Sequence, residues 1–311
     1  MPLVFDVVGV GANSIDYVYR LPSHPLPASP TSKLRISHHL ISPGGQTTTT
    51  LCTCAAMGLR VAYVGTLGND ANADRMRDEL SRRRIDTSHV IERDAVNPFA
   101  VILIDDQQGE RVVLWDRDAR LALAPAEIDA SFITNARLVH VDDVDEEAAI
   151  HAATVARNAG IPVTSDIEKV TERTERLVAA VTVPIFEEHA LQAFTGEADP
   201  ERGLRRLLTT KGTTLTKGTK NSSLAGVTLG SRGAMLLDGD RVHHEPGAKV
   251  KVVDTTGAGD VFRGAFIVAM LRGDAPADIL RFANAAAALS CTRLGAIASV
   301  PALEEVKKGS S

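Results

Sequence analysis

Short, β-branched apolar runs alternate with helix-period stretches along much of this chain, and no other feature restricts the fold as much. LVFDVVGV (3–10), RVAYVGTLG (60–68), ARLVHVD (136–142), IPVTSD (161–166), VTVPIF (181–186) and LAGVTLG (224–230) have the length and composition of strands. Between several of them lie stretches such as DANADRMRDELSRRR (70–84) and DEEAAIHAATVARNAG (145–160), with apolar residues at helical spacing. The pattern predicts an α/β protein whose central, mainly parallel sheet is covered by helices on both faces, a three-layer α/β/α sandwich.

Two regions depart from the alternation. DYVYRLP with SKLRISHHLI (16–41) and FAVILIDDQQGERVVLWD (99–116) alternate apolar and polar residues with no helix between, the second reading as a hairpin turning at DDQQGE. A small sheet of these segments, about 16–41 and 97–117, is expected to stand off the main sheet as a lid on a single domain spanning 1–311. TTKGTTLTKGTKNSS (209–223) reads as an exposed flexible loop.

With 44% hydrophobic and 23% charged residues in 311, the chain has the make-up of a soluble globular protein. A net charge of -5 argues against nucleic acid or an anionic membrane as partner, because both need a basic surface. The three cysteines form no disulfide framework or metal pattern and read as reduced, buried thiols. No basic leader and no run of about 18 apolar residues occurs, so the expected compartment is the cytoplasm.

DTTGAGD (254–260) follows a strand-like AKVKVV and precedes the apolar run VFRGAFIVAML. A glycine-rich turn at a helix N-terminus exposes amides that lack intrahelical partners, at the positive end of the helix dipole. Gly257, Ala258 and Gly259 carry no bulky side chain, so a phosphate can approach the amides of 257–260. An aspartate beside that cradle suits a general base, taking the proton of an attacking hydroxyl while the amides stabilise the transferring phosphoryl group. The alternative for Asp260 is a capping aspartate on a glycine-rich turn.

DTTGAGDVFRGAFI (254–267), GGQTTTTLCTCAAMGLRVAYVGTLGND (44–70) and the tail CTRLGAIASVP (291–301) together resemble the ribokinase, or PfkB, family of carbohydrate kinases, over about residues 4–301. The resemblance implies a ribokinase-like fold, ATP with magnesium, and Asp260 as base. It places Asp16, with Ser14 nearby, on the sugar hydroxyls and lets the Gly44–Gly45 backbone approach the sugar. Thr49 stands where the family usually has Asn. Asp142 falls at an acidic sugar ligand of several relatives, or is an exposed loop carboxylate. VTLGSRGAML (227–236) resembles the nucleotide motif and gives Thr228, Gly230 and Gly233, with LTKGTK (215–220) a competing match. Asn284 and Ala287, on a helix over 277–291, are then candidates for the adenine wall.

By the same resemblance Asp254 and Ser299 hold a monovalent cation, with potassium activation implied. The family's Asn-x-x-Glu stretch is replaced by EEHALQAFTG (187–196), with Glu187 for Asn and Ala190 for Glu, leaving Asp166 and Glu188 to orient the magnesium water shell. The motifs look closest to a ketohexokinase and sulfofructose kinase-like branch, which implies a ketose such as fructose as substrate. Lys33, Arg35 and Arg263 are candidates for an anionic group, Arg263 alternatively being a solvent-exposed helix residue. A homodimer through the lid is expected. Competing functions are a nucleoside kinase, with Tyr17, Tyr19, Phe99 and Trp115 available for stacking, and a sugar-sensing protein without catalysis.

Overall fold

From Asp6 onward every residue of the first strand, Phe5–Val10, is buried, as a strand covered on both faces must be. The computed structural model describes residues 4–25, 33–106, 111–207 and 224–309. In chain order its strands are β1 (Phe5–Val10), β2 (Ser14–Leu21), β3 (His38–Gly44), β4 (Val61–Leu67), β5 (Asp86–Glu92), β6 (Phe99–Asp105) and β7 (Arg111–Asp116). They continue as β8 (Ala136–Asp142), β9 (Val163–Asp166), β10 (Ile185–Glu187), β11 (Leu224–Thr228), β12 (Ala234–Asp238) and β13 (Arg241–Glu245). The helices are α1 (Gln46–Ala56), α2 (Ala71–Arg82), α3 (Ala130–Ile133), α4 (Glu146–Asn158) and α5 (Thr174–Ala180). After them come α6 (Glu188–Thr195), α7 (Pro200–Leu207), α8 (Ala258–Arg272), α9 (Pro276–Ser290) and α10 (Leu303–Gly309).

The main sheet runs β5-β4-β1-β8-β9, all parallel. Parallel bridges Thr164–Val183 and Ile167–Phe186 join it to the sheet β10-β11-β12-β13. One apolar cluster packs α1, α8 and α9 on one face, and another packs α4 and its neighbours on the other. The three-layer expectation is thus met. A separate four-stranded sheet, β3-β2-β6-β7, gathers both regions that broke the alternation. The turn residues 107–110 and the Thr- and Lys-rich stretch 209–223 lie outside the described residues.

AKVKVV (248–253), strand-like in composition, forms no strand. Its end is tied to a helix instead of a ladder, with the Val253 and Asp254 amides donating to Cys291 O at 2.8 and 3.3 Å. Alternation needs a partner strand to become a ladder, and Val252 is left 58% exposed. Cys52 and Cys54 are buried free thiols, whereas Cys291, at the end of α9, is only partly buried. Among the described residues no helix is long and apolar enough to cross a membrane.

Candidate active site

Asp142, Asp166, Glu187 and Thr228 are the last residues of β8, β9, β10 and β11. In chain order the strands proceed to one side of β1 through β4 and to the other through β8, so a crevice opens at the carboxyl ends beside β1. The candidate residues collect there because each strand hands its terminal side chain to the same edge of the sheet.

Gly257 opens the cradle with φ 74°, a left-handed conformation that favours glycine. A Cβ there would also lie 2.7 Å from the Ala296 Cβ. Helix α8 begins at the next residue, and among the described residues the Gly259 and Asp260 amides have no backbone acceptor. Asp254 closes the motif onto the tail, its Oδ1 accepting from Thr256 N and Oγ1 and its Oδ2 from Gly295 N. Ser299 lies in that tail, buried, its hydroxyl donating to Ala296 O at 2.8 Å.

Helix α1 sets the other wall of the cradle. Four consecutive threonines, Thr47 to Thr50, are wholly buried in it. Thr47 donates to Asp142, Thr48 to Gly44 O, and Thr50 to Asp260 O at 3.2 Å. Only Thr49 of the four has a hydroxyl without a partner among the described residues. Its Cγ2 lies 3.5 Å from where a Gly257 Cβ would stand, so it is beside the anion turn. Close contact of α1 with α8 requires Gly264, whose added Cβ would meet Thr53 Cβ at 2.5 Å.

Asp260 is buried in the first turn of α8. Carboxylate oxygens of Asp166, Glu168 and Asp260 lie within 4.8 Å of one another. Burial raises the pKa of Asp260 well above the usual carboxylate range; Glu168 adds to the rise and Arg263 opposes it. Burial likewise raises Asp166. Arg263, 1% exposed, answers Asp166 with an Nη2–Oδ1 contact of 2.6 Å. The contact is an ion pair without hydrogen-bond alignment. Arg263 is therefore not a solvent-exposed helix residue. Buried His140 completes the polar floor, its Nδ1 3.0 Å from Thr164 Oγ1, and burial and Arg263 hold its pKa down at about 3.

On the acceptor side, Asp16 is buried in β2 and accepts a hydrogen bond from Ser14 Oγ at 3.1 Å. Gly44 passes so close that a Cβ would lie 2.2 Å from Asp16 Oδ2. Gly45, at φ 96°, caps α1. Burial raises Asp16 to about 6. Asp142 is wholly buried, not an exposed loop carboxylate. Its Oδ2 accepts from Ala12 N at 2.6 Å and Thr47 Oγ1 at 2.7 Å, and its Oδ1 from Val144 N. Lys33 and Arg35 are exposed.

Thr228, Gly230 and Gly233 form the turn between β11 and β12. At Gly233, φ 91°, a Cβ would strike Glu245 O at 2.0 Å, and Asn284 Nδ2 donates to that carbonyl at 2.8 Å. One continuous wall thus joins this turn, the end of β13 and helix α9, where Ala287 sits partly buried less than a turn after Asn284. The competing LTKGTK lies outside the described residues. Glu188 is not gathered with Asp166, since it pairs with Arg232, and Glu187 caps α6 by accepting from the His189 and Ala190 amides.

Two residues escape a reading of the sequence. Glu168 reaches the acidic cluster from just beyond β9. Arg111, first residue of β7, donates from Nη1 to Thr255 Oγ1 at 2.9 Å, joining the small sheet to the glycine motif. Aromatic residues of the small sheet are mostly spent on their neighbours: Tyr17 packs edge-on against Phe99 and Tyr19 stacks on His39, whereas Trp115 is 74% exposed.

A glycine-led helix start with a buried aspartate, at the carboxyl edge of a parallel sheet beside a small second sheet, defines a phosphotransferase of ribokinase-like fold. The chain belongs to the pfkB family of carbohydrate kinases, whose profile matches residues 5–303, and is thus an enzyme acting on a sugar hydroxyl. It is 22% identical over 301 residues to ribokinase of Haemophilus influenzae, covering 95% of each chain. It is 26% identical over 269 residues to a fructosamine kinase of Bacillus subtilis, covering 82% of this chain and 85% of that one. The structure of ribokinase from Thermotoga maritima matches with a TM-score of 0.81 at 26% identity, covering 98% of this chain and 99% of that one.

Proposed function

We propose that this protein transfers the γ-phosphate of ATP to a hydroxyl of a ketose of the fructose type. The observation that carries the reading is the placement of Asp260, buried in the first turn of α8, where the Gly259 and Asp260 amides have no backbone acceptor among the described residues. Asp16 and the Gly44–Gly45 backbone hold the sugar hydroxyls, Asp260 takes the proton of the attacking one, and the Gly259 and Asp260 amides stabilise charge on the phosphoryl group, the Ala258 amide being spent on Thr255 O at 3.3 Å. The Thr228–Gly233 turn with Asn284 and Ala287 receives the nucleotide. Asp142 supports the sugar from beneath, through Thr47 and Ala12.

Three carboxylates with oxygens within 4.8 Å of one another suit a hard divalent cation, so Asp166 and Glu168, beside Asp260, are the residues to hold magnesium. Bound magnesium neutralises charge on the phosphates. Asp254 and Ser299 frame the proposed potassium site, with the tail and the glycine motif held together by the Asp254–Gly295 bond. The small sheet closes as a lid that excludes water and protects the phosphoryl group from hydrolysis. Thr49 in place of an amide side chain, and the kinship with a fructosamine kinase, favour a ketose.

The test is ADP release from Mg-ATP with potassium, across fructose, ribose, other ketoses, sugar phosphates and nucleosides. Turnover highest on a ketose supports the reading, and turnover confined to nucleosides or to ribose overturns its substrate half. Sugar binding should also follow Asp16. A carboxylate accepts sugar hydroxyls only when ionised, and the pKa of about 6 means the proton returns as pH falls through that value. The sugar KM is therefore expected to climb about tenfold per pH unit below it; a KM flat from pH 7 to 5 would exclude Asp16 as the anchor.

We also propose a homodimer through the small sheet. β7 is an edge strand, and its Val112, Val113, Leu114 and Trp115 are 43%, 44%, 56% and 74% exposed. Light scattering is expected to give twice the chain mass of 33.1 kDa, falling to one chain in Leu114→Lys; a monomeric parent protein would rule this out.

A further inference from the structure

We propose that Arg111 is a catalytic residue that the small sheet carries to the transferring phosphoryl group. This rests on the kinase reading of the same site.

Arg111 opens β7, a strand whose side chains are all exposed. The sheet that carries it also carries Asp16, two strands away in the order β3-β2-β6-β7. Its one hydrogen bond among the described residues runs to Thr255, the second residue of DTTGAGD and two residues ahead of the cradle's first glycine. Its charge also reaches the acceptor side, because it opposes the rise that burial imposes on Asp16. One guanidinium thus lies between the residue proposed to hold the sugar and the turn proposed to hold the phosphate.

Its present partner does not account for an arginine there. Thr255 offers a neutral hydroxyl, and among the described residues Arg111 makes no ion pair. Two neighbouring charged groups are already matched: Arg263 pairs with Asp166, and Asp254 accepts three hydrogen bonds. A forked guanidinium suits a phosphoryl group, whose equatorial oxygens gather charge in the transition state and accept two parallel N–H bonds. When the sheet closes, Arg111 exchanges Thr255 for those oxygens. Closure and charge stabilisation then become one event, and phosphoryl transfer waits for the sugar to be enclosed.

The experiment compares the full-length protein with Arg111→Met, Arg111→Lys and Thr255→Val in ADP release. Binding of ADP alone and of ADP with magnesium and aluminium fluoride, a mimic of the transferring group, is measured in each. Arg111→Met is expected to lower kcat by roughly 10²-fold or more while the sugar KM stays within about threefold. The same variant should bind the fluoride complex at least about tenfold more weakly, with ADP affinity unchanged. Arg111→Lys should recover part of the loss, and Thr255→Val should lose far less than Arg111→Met.

Equal losses in Arg111→Met and Thr255→Val would mean that the bond only anchors the sheet, and would overturn the proposal. So would a loss confined to the sugar KM, which would make Arg111 an acceptor-recognition residue, or an unchanged fluoride complex. If the parent protein releases no ADP with any sugar, the kinase reading fails on its own, and the fluoride-complex affinities still judge Arg111.

Discussion

Asp260→Asn is expected to lower turnover by roughly 10²-fold or more while sugar binding survives. The amide keeps the size and shape of the carboxylate but cannot accept the proton of the attacking hydroxyl. It also leaves the first turn of α8 intact, since the Thr50 bond is made to the backbone carbonyl of residue 260. Stability should not fall, because Asp260 is buried within 4.8 Å of two other carboxylates and a neutral group there relieves repulsion. Loss of rate is thereby separated from loss of fold. Sugar-induced stabilisation should match that of the parent, because Asp16 and the Gly44–Gly45 backbone are untouched. Turnover within about tenfold of the parent would remove Asp260 from the role of base.

The layered fold was legible because strand and helix periods alternate over much of the chain between residues 3 and 230, outside 16–41 and 99–116. The cradle was legible because small residues at a helix start have few other uses. What remained hidden depends on burial and distance. AKVKVV has the composition of a strand, but pairing needs a neighbour that the sequence does not name. Asp142 sits in the acidic run DDVDEE, which reads as solvated; in the structure it terminates a buried strand and accepts hydrogen bonds from Ala12 and Thr47. Four threonines in one helix were a signal of buried hydroxyls needing partners, and only the fold reveals that Thr49 differs from the other three. Glu168 and Arg111 lie far along the chain from Asp260 and Thr255, respectively, so no local pattern connects them.

Arg263 shows most clearly how a helix can mislead. An arginine three residues after Asp260 invites a solvent or ligand role, yet α8 is buried from Asp260 to Ala269 and presents no solvent face to that turn. An ionised guanidinium in such a place needs a counter-charge, and Asp166 at the end of β9 supplies it.

Removing one partner of such a pair strands the other, so Arg263→Met is expected to destabilise the fold by about 3–5 kcal/mol near neutral pH. The sign of its pH dependence follows from Asp166. Its pKa is raised by burial and opposed by Arg263, so without Arg263 it rises further and the carboxyl stays protonated to higher pH. An acid with a raised folded-state pKa favours folding when protonated, and that advantage is lost as pH rises through the raised value. The penalty in Arg263→Met should accordingly be larger at pH 8 than at pH 5. Adding Asp166→Leu should recover much of it, because two apolar groups then stand where the pair stood and neither partner is stranded. Denaturant midpoints of the parent, both single variants and the double variant, measured without magnesium, give the coupling directly. A loss below about 1 kcal/mol that is equal at both pH values would mean that Asp166 finds another partner when the guanidinium is gone. A large loss undiminished in the double variant would place the cost in the volume of the arginine side chain, whose methylenes fill space between α8 and the sheet.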